Sequence, residues 1–137
     1  MKKQTGILAL TVAAGVLGLA GFAVANASRD AILQGYAQQA GVSSFSAEAG
    51  KALFLSTNTT GKPETPSCTT CHTSNPLNPG KTRVGKPIDP LAVSRVPDRF
   101  TDPAKVEKWF RRNCKSVLGR ECTPQEKGDF IAYMSSI

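Results

Sequence analysis

The chain has 137 residues, with 17 lysines and arginines against 10 aspartates and glutamates, four cysteines and a single histidine. A chain of this length forms one domain with a small hydrophobic core. Its basic residues are not interleaved with aromatic residues, so the composition does not indicate a nucleic-acid-binding protein. The modest positive excess suits docking to an acidic partner protein, and a well-solvated surface explains it equally well.

The first residues have the pattern of a secretory signal peptide. Two lysines precede an uncharged stretch from Gln4 to Ser28, which contains the small residues Ala25-Asn26-Ala27 near its end. We expect cleavage after Ala27, which removes residues 1–27 and leaves a chain exported to the bacterial periplasm. The uncharged stretch is also long enough to span a bilayer, so an uncleaved membrane anchor is the alternative.

Two helices are predicted before the first cysteine. Residues 28–43 form a leader whose short helix, Ser28 to Ala40, is followed by Gly41 as a stop signal. The main domain covers residues 44–137 and opens with a helix from Ser46 to Phe54. A glycine within a helix costs about 1 kcal/mol relative to alanine, so Gly50 predicts a close approach by another helix.

The segment Cys68-Thr69-Thr70-Cys71-His72 indicates covalent attachment of haem c. On a helical turn Cys68, Cys71 and His72 project from one face, so both thiols can bond the haem vinyl groups while the imidazole binds the iron. A thioredoxin-type site would need strands around the motif, and none is predicted. A zinc site would need further ligands nearby, but the other cysteines are distant. A plain disulfide remains an alternative.

The helix containing Gly50 and Phe54, followed by the haem motif, resembles the first helix of class I cytochromes c. The resemblance implies an all-α fold around one haem, with long loops that wrap it. Residues 75–99 contain five prolines and match such a loop. In these cytochromes the iron-bound histidine donates its other ring N–H to a proline carbonyl, for which Pro87 is the candidate, with Pro76 and Pro79 as alternatives.

Two further helices are predicted towards the end of the chain. Asp102 caps the first, which has Pro103 at its first position and an apolar stripe of Val106, Trp109 and Phe110 that ends in Asn113. The second begins at Thr123, which forms a capping box with Glu126. Within this second helix, Phe130, Ile131 and Met134 are predicted to face inward.

The segment Trp109-Phe110-Arg111-Arg112-Asn113-Cys114, with Cys122 and Gly128-Asp129-Phe130 after it, resembles the sphaeroides haem protein type of class I cytochrome. The resemblance implies that Asn113 is a weak sixth iron ligand and that Cys114 and Cys122 form a disulfide. It also implies that Asn113 leaves the iron on reduction, so that a small diatomic molecule such as O2, NO or CO can bind. The redox partner implied by the family is a dihaem cytochrome c.

Two other functions are weighed against this interpretation. The first is a simple electron shuttle whose iron is permanently six-coordinate, through Met134 or a tightly bound Asn113. The second is a reductase of O2 or NO, although no second histidine is present to supply protons. We therefore expect an electron carrier that binds gases rather than an enzyme. Asn113 could instead cap the end of its helix, and Met134 is more simply explained as core packing.

Overall fold

The computed structural model describes residues 17–137 of the chain. Its elements are five helices and one short β-hairpin, in the order α1 (Leu17–Ala40), α2 (Ala47–Leu55), α3 (Thr69–His72), β1 (Gly80–Lys81), β2 (Pro87–Ile88), α4 (Pro103–Leu118) and α5 (Pro124–Ser135). None of the helices in these residues is long and apolar enough to cross a membrane. The expected all-α architecture is confirmed.

The predicted signal peptide falls mostly outside the described residues. Residues 17–27 form the first part of α1, and the predicted helix from Ser28 to Ala40 forms the rest of it. Gly41 ends α1 with a φ of 69°, a left-handed conformation that glycine adopts readily. Cleavage after Ala27 remains a prediction.

Three helices begin at the residues that the sequence indicates. The hydroxyl of Ser46 accepts a hydrogen bond from the backbone N–H of Ala49 at the start of α2. Asp102 accepts one from Lys105 at the start of α4. Thr123 and Glu126 form the full capping box at the start of α5. These bonds satisfy backbone N–H groups that lack partners within the helix.

Helix α2 crosses α5 in direct backbone contact at Gly50. A Cβ atom at this position would lie 1.9 Å from the carbonyl oxygen of Asp129, so only glycine permits the crossing. The side chain of Asp129 is buried and accepts hydrogen bonds from the backbone N–H of Ser46 (2.7 Å) and from Gln125 (2.8 Å). The predicted close approach at Gly50 is confirmed.

Helix α1 packs against α5 and contributes to the core. Ile32 and Tyr36 are buried in a cluster with Phe110 and Ile131, and the rings of Tyr36 and Phe110 meet edge to face at 6.4 Å. Arg29 is 5% exposed and donates hydrogen bonds to the carbonyl oxygens of Pro97 and Arg99. The leader helix is therefore an integral part of the packed structure.

The long proline-containing stretch includes a short hairpin that the sequence does not predict. Gly80 pairs with Ile88 and Lys81 pairs with Pro87 in an antiparallel ladder. Gly85 lies in the connecting turn with a φ of 79°. Each strand has only two residues, too few for the alternating pattern that identifies strands in a sequence.

Candidate functional site

The predicted haem-attachment residues lie on one helical turn. Cys68 is the N-cap of α3, and its carbonyl oxygen accepts a hydrogen bond from the backbone N–H of His72 at 3.1 Å. Cys68 and Cys71 are free thiols, and both are partly exposed. Thr73 ends the turn with a φ of 60°, a left-handed conformation that is rare for a β-branched residue. The turn therefore presents two thiols and one imidazole together.

An apolar cluster lies behind the first of these thiols. Cys68 packs against buried Phe54, Leu91, Tyr133 and Met134. Burial raises the pKa of the Cys68 thiol to about 11, so the group is protonated at neutral pH. Within residues 17–137, no three cysteine, histidine or acidic side chains come together as ligands of a metal ion. The turn thus adjoins an apolar surface of the kind that a haem requires.

His72 is held in its neutral form. Burial lowers its pKa to about 4, and the nearby positive charge of Arg99 acts in the same direction. A neutral imidazole has a nitrogen lone pair available to bind iron. The guanidinium of Arg99 donates to the carbonyl oxygens of Asp89 and Pro90, which fixes this cation within the loop before α4.

The hairpin supports the attachment turn from one side. A Cβ atom at Gly80 would lie 2.0 Å from the carbonyl oxygen of Cys71, so the two backbones are in contact. Pro79 lines a cleft of about 220 Å³ together with residues of this turn, whereas Pro87 lies on the second strand. The Pro76 carbonyl already accepts two backbone N–H groups. The proline carbonyl that accepts the second imidazole N–H remains a prediction.

Of the two sixth-ligand candidates, one is exposed and the other is buried. Asn113 is exposed on α4, one turn after Trp109, whose side chain is 45% exposed. Of the predicted stripe, Val106 and Phe110 are buried, whereas Trp109 and Asn113 are exposed. Met134 is 0% exposed and packs within the core cluster. Cys68 packs against the same cluster, and the full burial of Met134 is what core packing predicts.

A loop before the attachment turn is bound to the end of α4. We call this the loop–α4 contact and define it by Gly61, Thr65, Ser116 and Gly119. The hydroxyls of Thr65 and Ser116 lie 2.7 Å apart. A Cβ atom at Gly61 would lie 2.3 Å from the Ser116 carbonyl oxygen, and one at Gly119 would lie 2.2 Å from a loop carbonyl oxygen. The two segments therefore meet backbone to backbone.

The loop–α4 contact lies close in sequence to both parts of the candidate site. Ser116 follows Asn113 by three residues, and Thr65 precedes Cys68 by three residues. Three residues of helix rise only about 4.5 Å, so Asn113 lies close to the contact. The contact therefore ties the part of α4 that carries Asn113 to the loop that leads into the attachment turn.

A disulfide holds the same end of α4. The sulfur atoms of Cys114 and Cys122 lie 2.01 Å apart, and both residues are buried. Cys114 directly follows Asn113, while Cys122 directly precedes the cap of α5. The bond thus joins the segment that carries Asn113 to the start of the last helix.

The comparisons with known proteins identify the family. A family model described as a domain of unknown function (DUF1924) matches residues 40–134. Cytochrome c-type protein SHP of Cereibacter sphaeroides is 56% identical over 119 residues, which cover 86% of this chain and 92% of that protein. The chain belongs to the sphaeroides haem protein type of cytochrome c.

Solved structures of related cytochromes share this fold. Oxidised SHP, described as an oxygen-binding cytochrome c, superimposes with a TM-score of 0.76 at 55% identity, covering 80% of this chain and 96% of that one. Oxidised cytochrome c'' from Methylophilus methylotrophus gives a TM-score of 0.62 at 35% identity, covering 82% of this chain and 94% of that one. The predicted class I-like fold is therefore confirmed.

As a cytochrome of the sphaeroides haem protein type, the chain carries one covalently bound haem c. The donor set fits this group, since two free thiols and a neutral imidazole share one turn beside apolar side chains. Cys68 and Cys71 would hold the porphyrin, and His72 would bind its iron. Sequence reasoning missed the supporting residues Arg99 and Thr65, because single polar residues in loops carry no local signal of a distant contact.

Proposed function

We propose that this cytochrome transfers single electrons and, when reduced, releases Asn113 so that a small diatomic molecule can bind in its place. The observation that carries the proposal is the contrast between the two sixth-ligand candidates. Asn113 is exposed on α4, whereas Met134 is fully buried in the core. The full burial of Met134 supports core packing rather than permanent methionine ligation.

The chemistry of the asparagine side chain supports a displaceable ligand. A haem iron exchanges one electron between its ferric and ferrous forms and offers axial positions to ligands. A carboxamide oxygen is a hard and weak donor, so it binds the ferric form better than the softer ferrous form. Reduction should therefore weaken the hold of Asn113. The solved relative described as an oxygen-binding cytochrome c supports the binding of a diatomic ligand in this proposal.

The surrounding residues limit how far Asn113 can move. Cys114 is tied by its disulfide, and Ser116 is tied by the loop–α4 contact, so the backbone at Asn113 is restrained. Release then requires only rotation of the side chain. A rotated carboxamide keeps its N–H groups near the vacated position, where they can donate a hydrogen bond to a diatomic ligand.

The cellular setting that we propose follows from the signal-like N-terminus and the family. The mature chain is exported to the periplasm and takes electrons from another cytochrome, for which a dihaem cytochrome c is the candidate. Export also agrees with a disulfide between Cys114 and Cys122, because disulfides persist in oxidising compartments.

Optical spectroscopy of the purified holoprotein tests the proposal. Spectra of the ferric and the dithionite-reduced protein are recorded with and without CO, for the wild type and for Asn113→Ala. We expect a high-spin ferrous wild type that binds CO at once, and a ferric Asn113→Ala protein that is high-spin or water-ligated. A low-spin ferrous wild type that ignores CO would refute the release of Asn113.

Two further variants separate the sixth-ligand candidates. Met134→Leu should leave all four spectra unchanged, because this methionine lies in the core and not at the iron. Asn113→Met should give a low-spin ferrous protein that binds CO more slowly, since a thioether is a soft ligand that suits ferrous iron. A changed axial spectrum in Met134→Leu, with Asn113→Ala unchanged, would assign the ligand to the methionine instead.

A further inference from the structure

Most of the net positive charge of the described residues lies on one helix. Residues 17–137 contain 15 lysines and arginines against 10 acidic residues, because the two other lysines precede Leu17. Helix α4 alone has five basic residues against one acidic residue, Glu107. The rest of the described chain is therefore nearly neutral, with ten basic and nine acidic residues. Helix α4 therefore accounts for +4 of the net charge of +5 that the described residues carry.

Three of these cations form a stripe along the outer surface of α4. Lys105, Lys108 and Arg112 are spaced by three and four residues, so they share one face of the helix, and all three are exposed. We call them the α4 basic face. Within the described residues none of the three makes an ion pair, whereas Lys115, Arg120 and Lys127 each pair with a glutamate.

The one acidic residue of α4 does not neutralise this face. Glu107 accepts hydrogen bonds from Tyr36 and from Lys127, so its carboxylate is directed towards α1 and α5. The opposite side of α4 is apolar and buried in the core. The α4 basic face is thus left with uncompensated charge in solvent.

An exposed aromatic ring lies within the α4 basic face. Trp109 is 45% exposed, and its ring lies 5.6 Å from the Lys108 ammonium and 5.1 Å from the Arg112 guanidinium. Tryptophan and arginine are the residues that most often dominate binding energy at protein interfaces. Asn113 follows one turn after Trp109, so this surface borders the proposed ligand position.

We propose that the α4 basic face, with Trp109 at its centre, is the docking surface for an electron-transfer protein with an acidic surface. Complementary charge would steer the two proteins together, and Trp109 would provide the apolar contact once they meet. The site would bring the partner's redox centre next to the side of the haem at which Asn113 is exchanged. This inference rests on the proposed electron-transfer function and adds where the electron enters.

A stopped-flow experiment with a chosen probe tests the proposal. The ferric holoprotein is mixed with a fully reduced, strongly acidic flavodoxin, which gives up one electron as the ferric haem becomes ferrous. The triple variant Lys105→Glu/Lys108→Glu/Arg112→Glu is compared with Lys51→Glu/Lys86→Glu/Arg95→Glu, which makes the same change in net charge at exposed sites outside α4. Neutral reduced lumiflavin serves as a small reductant that needs no docking surface.

At an ionic strength of about 0.01 M, where charges interact over about 30 Å, we expect the α4 variant to react with flavodoxin at least tenfold more slowly. The control variant should slow by a clearly smaller factor, because it changes net charge but not the docking surface. Lumiflavin should reduce all three proteins at similar rates. Trp109→Ala should weaken flavodoxin binding while leaving the salt dependence of the rate unchanged.

The outcomes distinguish failure of docking from failure of electron transfer. Equal slowing of both charge variants would overturn the docking surface while leaving electron transfer intact. Failure of lumiflavin to reduce the wild type would overturn the electron-transfer function itself. If phosphatidylglycerol vesicles bind the wild type but not the α4 variant, and flavodoxin rates do not differ, the surface is a membrane contact. A milder set, Lys105→Gln/Lys108→Gln/Arg112→Gln, should give an intermediate rate and guards against misfolding.

Discussion

Replacing Gly50 by alanine should destabilise the protein strongly. The new methyl carbon would lie 1.9 Å from the carbonyl oxygen of Asp129, whereas side-chain carbons essentially never approach closer than 3.0 Å. Helix α5 would have to move away from α2 by about 1 Å or more. That movement also strains the hydrogen bond between the Asp129 carboxylate and the backbone N–H of Ser46.

The expected loss of stability follows from these contacts. Overpacking in a closely packed core costs about 1–3 kcal/mol. Weakening a buried hydrogen bond to a charged group costs about 1.5–3 kcal/mol. Alanine recovers about 1 kcal/mol of helix propensity relative to glycine. The free energy of unfolding should therefore fall by about 3 kcal/mol, which lowers Tm by about 10–20 °C in a domain of this size.

Urea denaturation of the holoprotein, followed by far-UV circular dichroism, measures this change. Gly35→Ala is the matched control, because Gly35 lies within helix α1 and an added Cβ atom there meets nothing within 4 Å. That variant should be as stable as the wild type or gain up to about 1 kcal/mol. The reasoning fails if the unfolding free energy of Gly50→Ala lies within about 0.5 kcal/mol of the wild-type value.

Three further predictions concern the region around α4 and α5. Replacing Cys114 and Cys122 by serine should lower the free energy of unfolding by roughly 2.5 kcal/mol on the chain-entropy estimate, measured by urea denaturation, and an unchanged midpoint would contradict it. Thr123→Ala should cost about 1 kcal/mol through loss of the capping box, seen as a lower Tm, while a Tm equal to that of the wild type would show that the cap contributes nothing. Burial alone would raise the pKa of Glu107, but hydrogen bonds from Lys127 and a tyrosine hydroxyl lower it overall. Its contribution to stability is thus present above the ordinary value near 4.5 and is lost as the pH falls through the folded-state pKa. Glu107→Gln should accordingly be less stable than the wild type at pH 7, and urea midpoints should converge at lower pH; a constant difference would refute the assignment.

Local sequence signals predicted the helices and the attachment turn well. The caps Ser46, Asp102 and Thr123 work through bonds to residues three positions away, so their signature lies within a short window. The helix crossing at Gly50 was also predictable, because a glycine that is unfavourable within a helix implies a compensating close approach. The cysteine and histidine spacing is likewise local.

Contacts between distant segments could not be predicted in this way. Thr65 and Ser116 are separated by 51 residues, and neither belongs to a recognisable motif. The burial of Arg29 depends on carbonyl groups of a loop about 70 residues away. Trp109 has the spacing of a core residue yet remains 45% exposed, because the neighbouring elements cover only one side of α4. The spacing of apolar residues in a sequence identifies one face of a helix. It does not show how much of that face the neighbouring elements cover.

The loop–α4 contact also bears on how such a protein can change during evolution. Gly61 and Gly119 bring two backbones together, so the distance from the attachment turn to position 113 is set by the main chain and not by the side chain at 113. With Asn113 as the axial ligand that we propose, a single codon change at this position would exchange one axial donor for another while the porphyrin stays in place. On this proposal, one substitution at position 113 would be enough to convert a gas-binding cytochrome into an electron carrier of the same fold. No change in the loop would be needed.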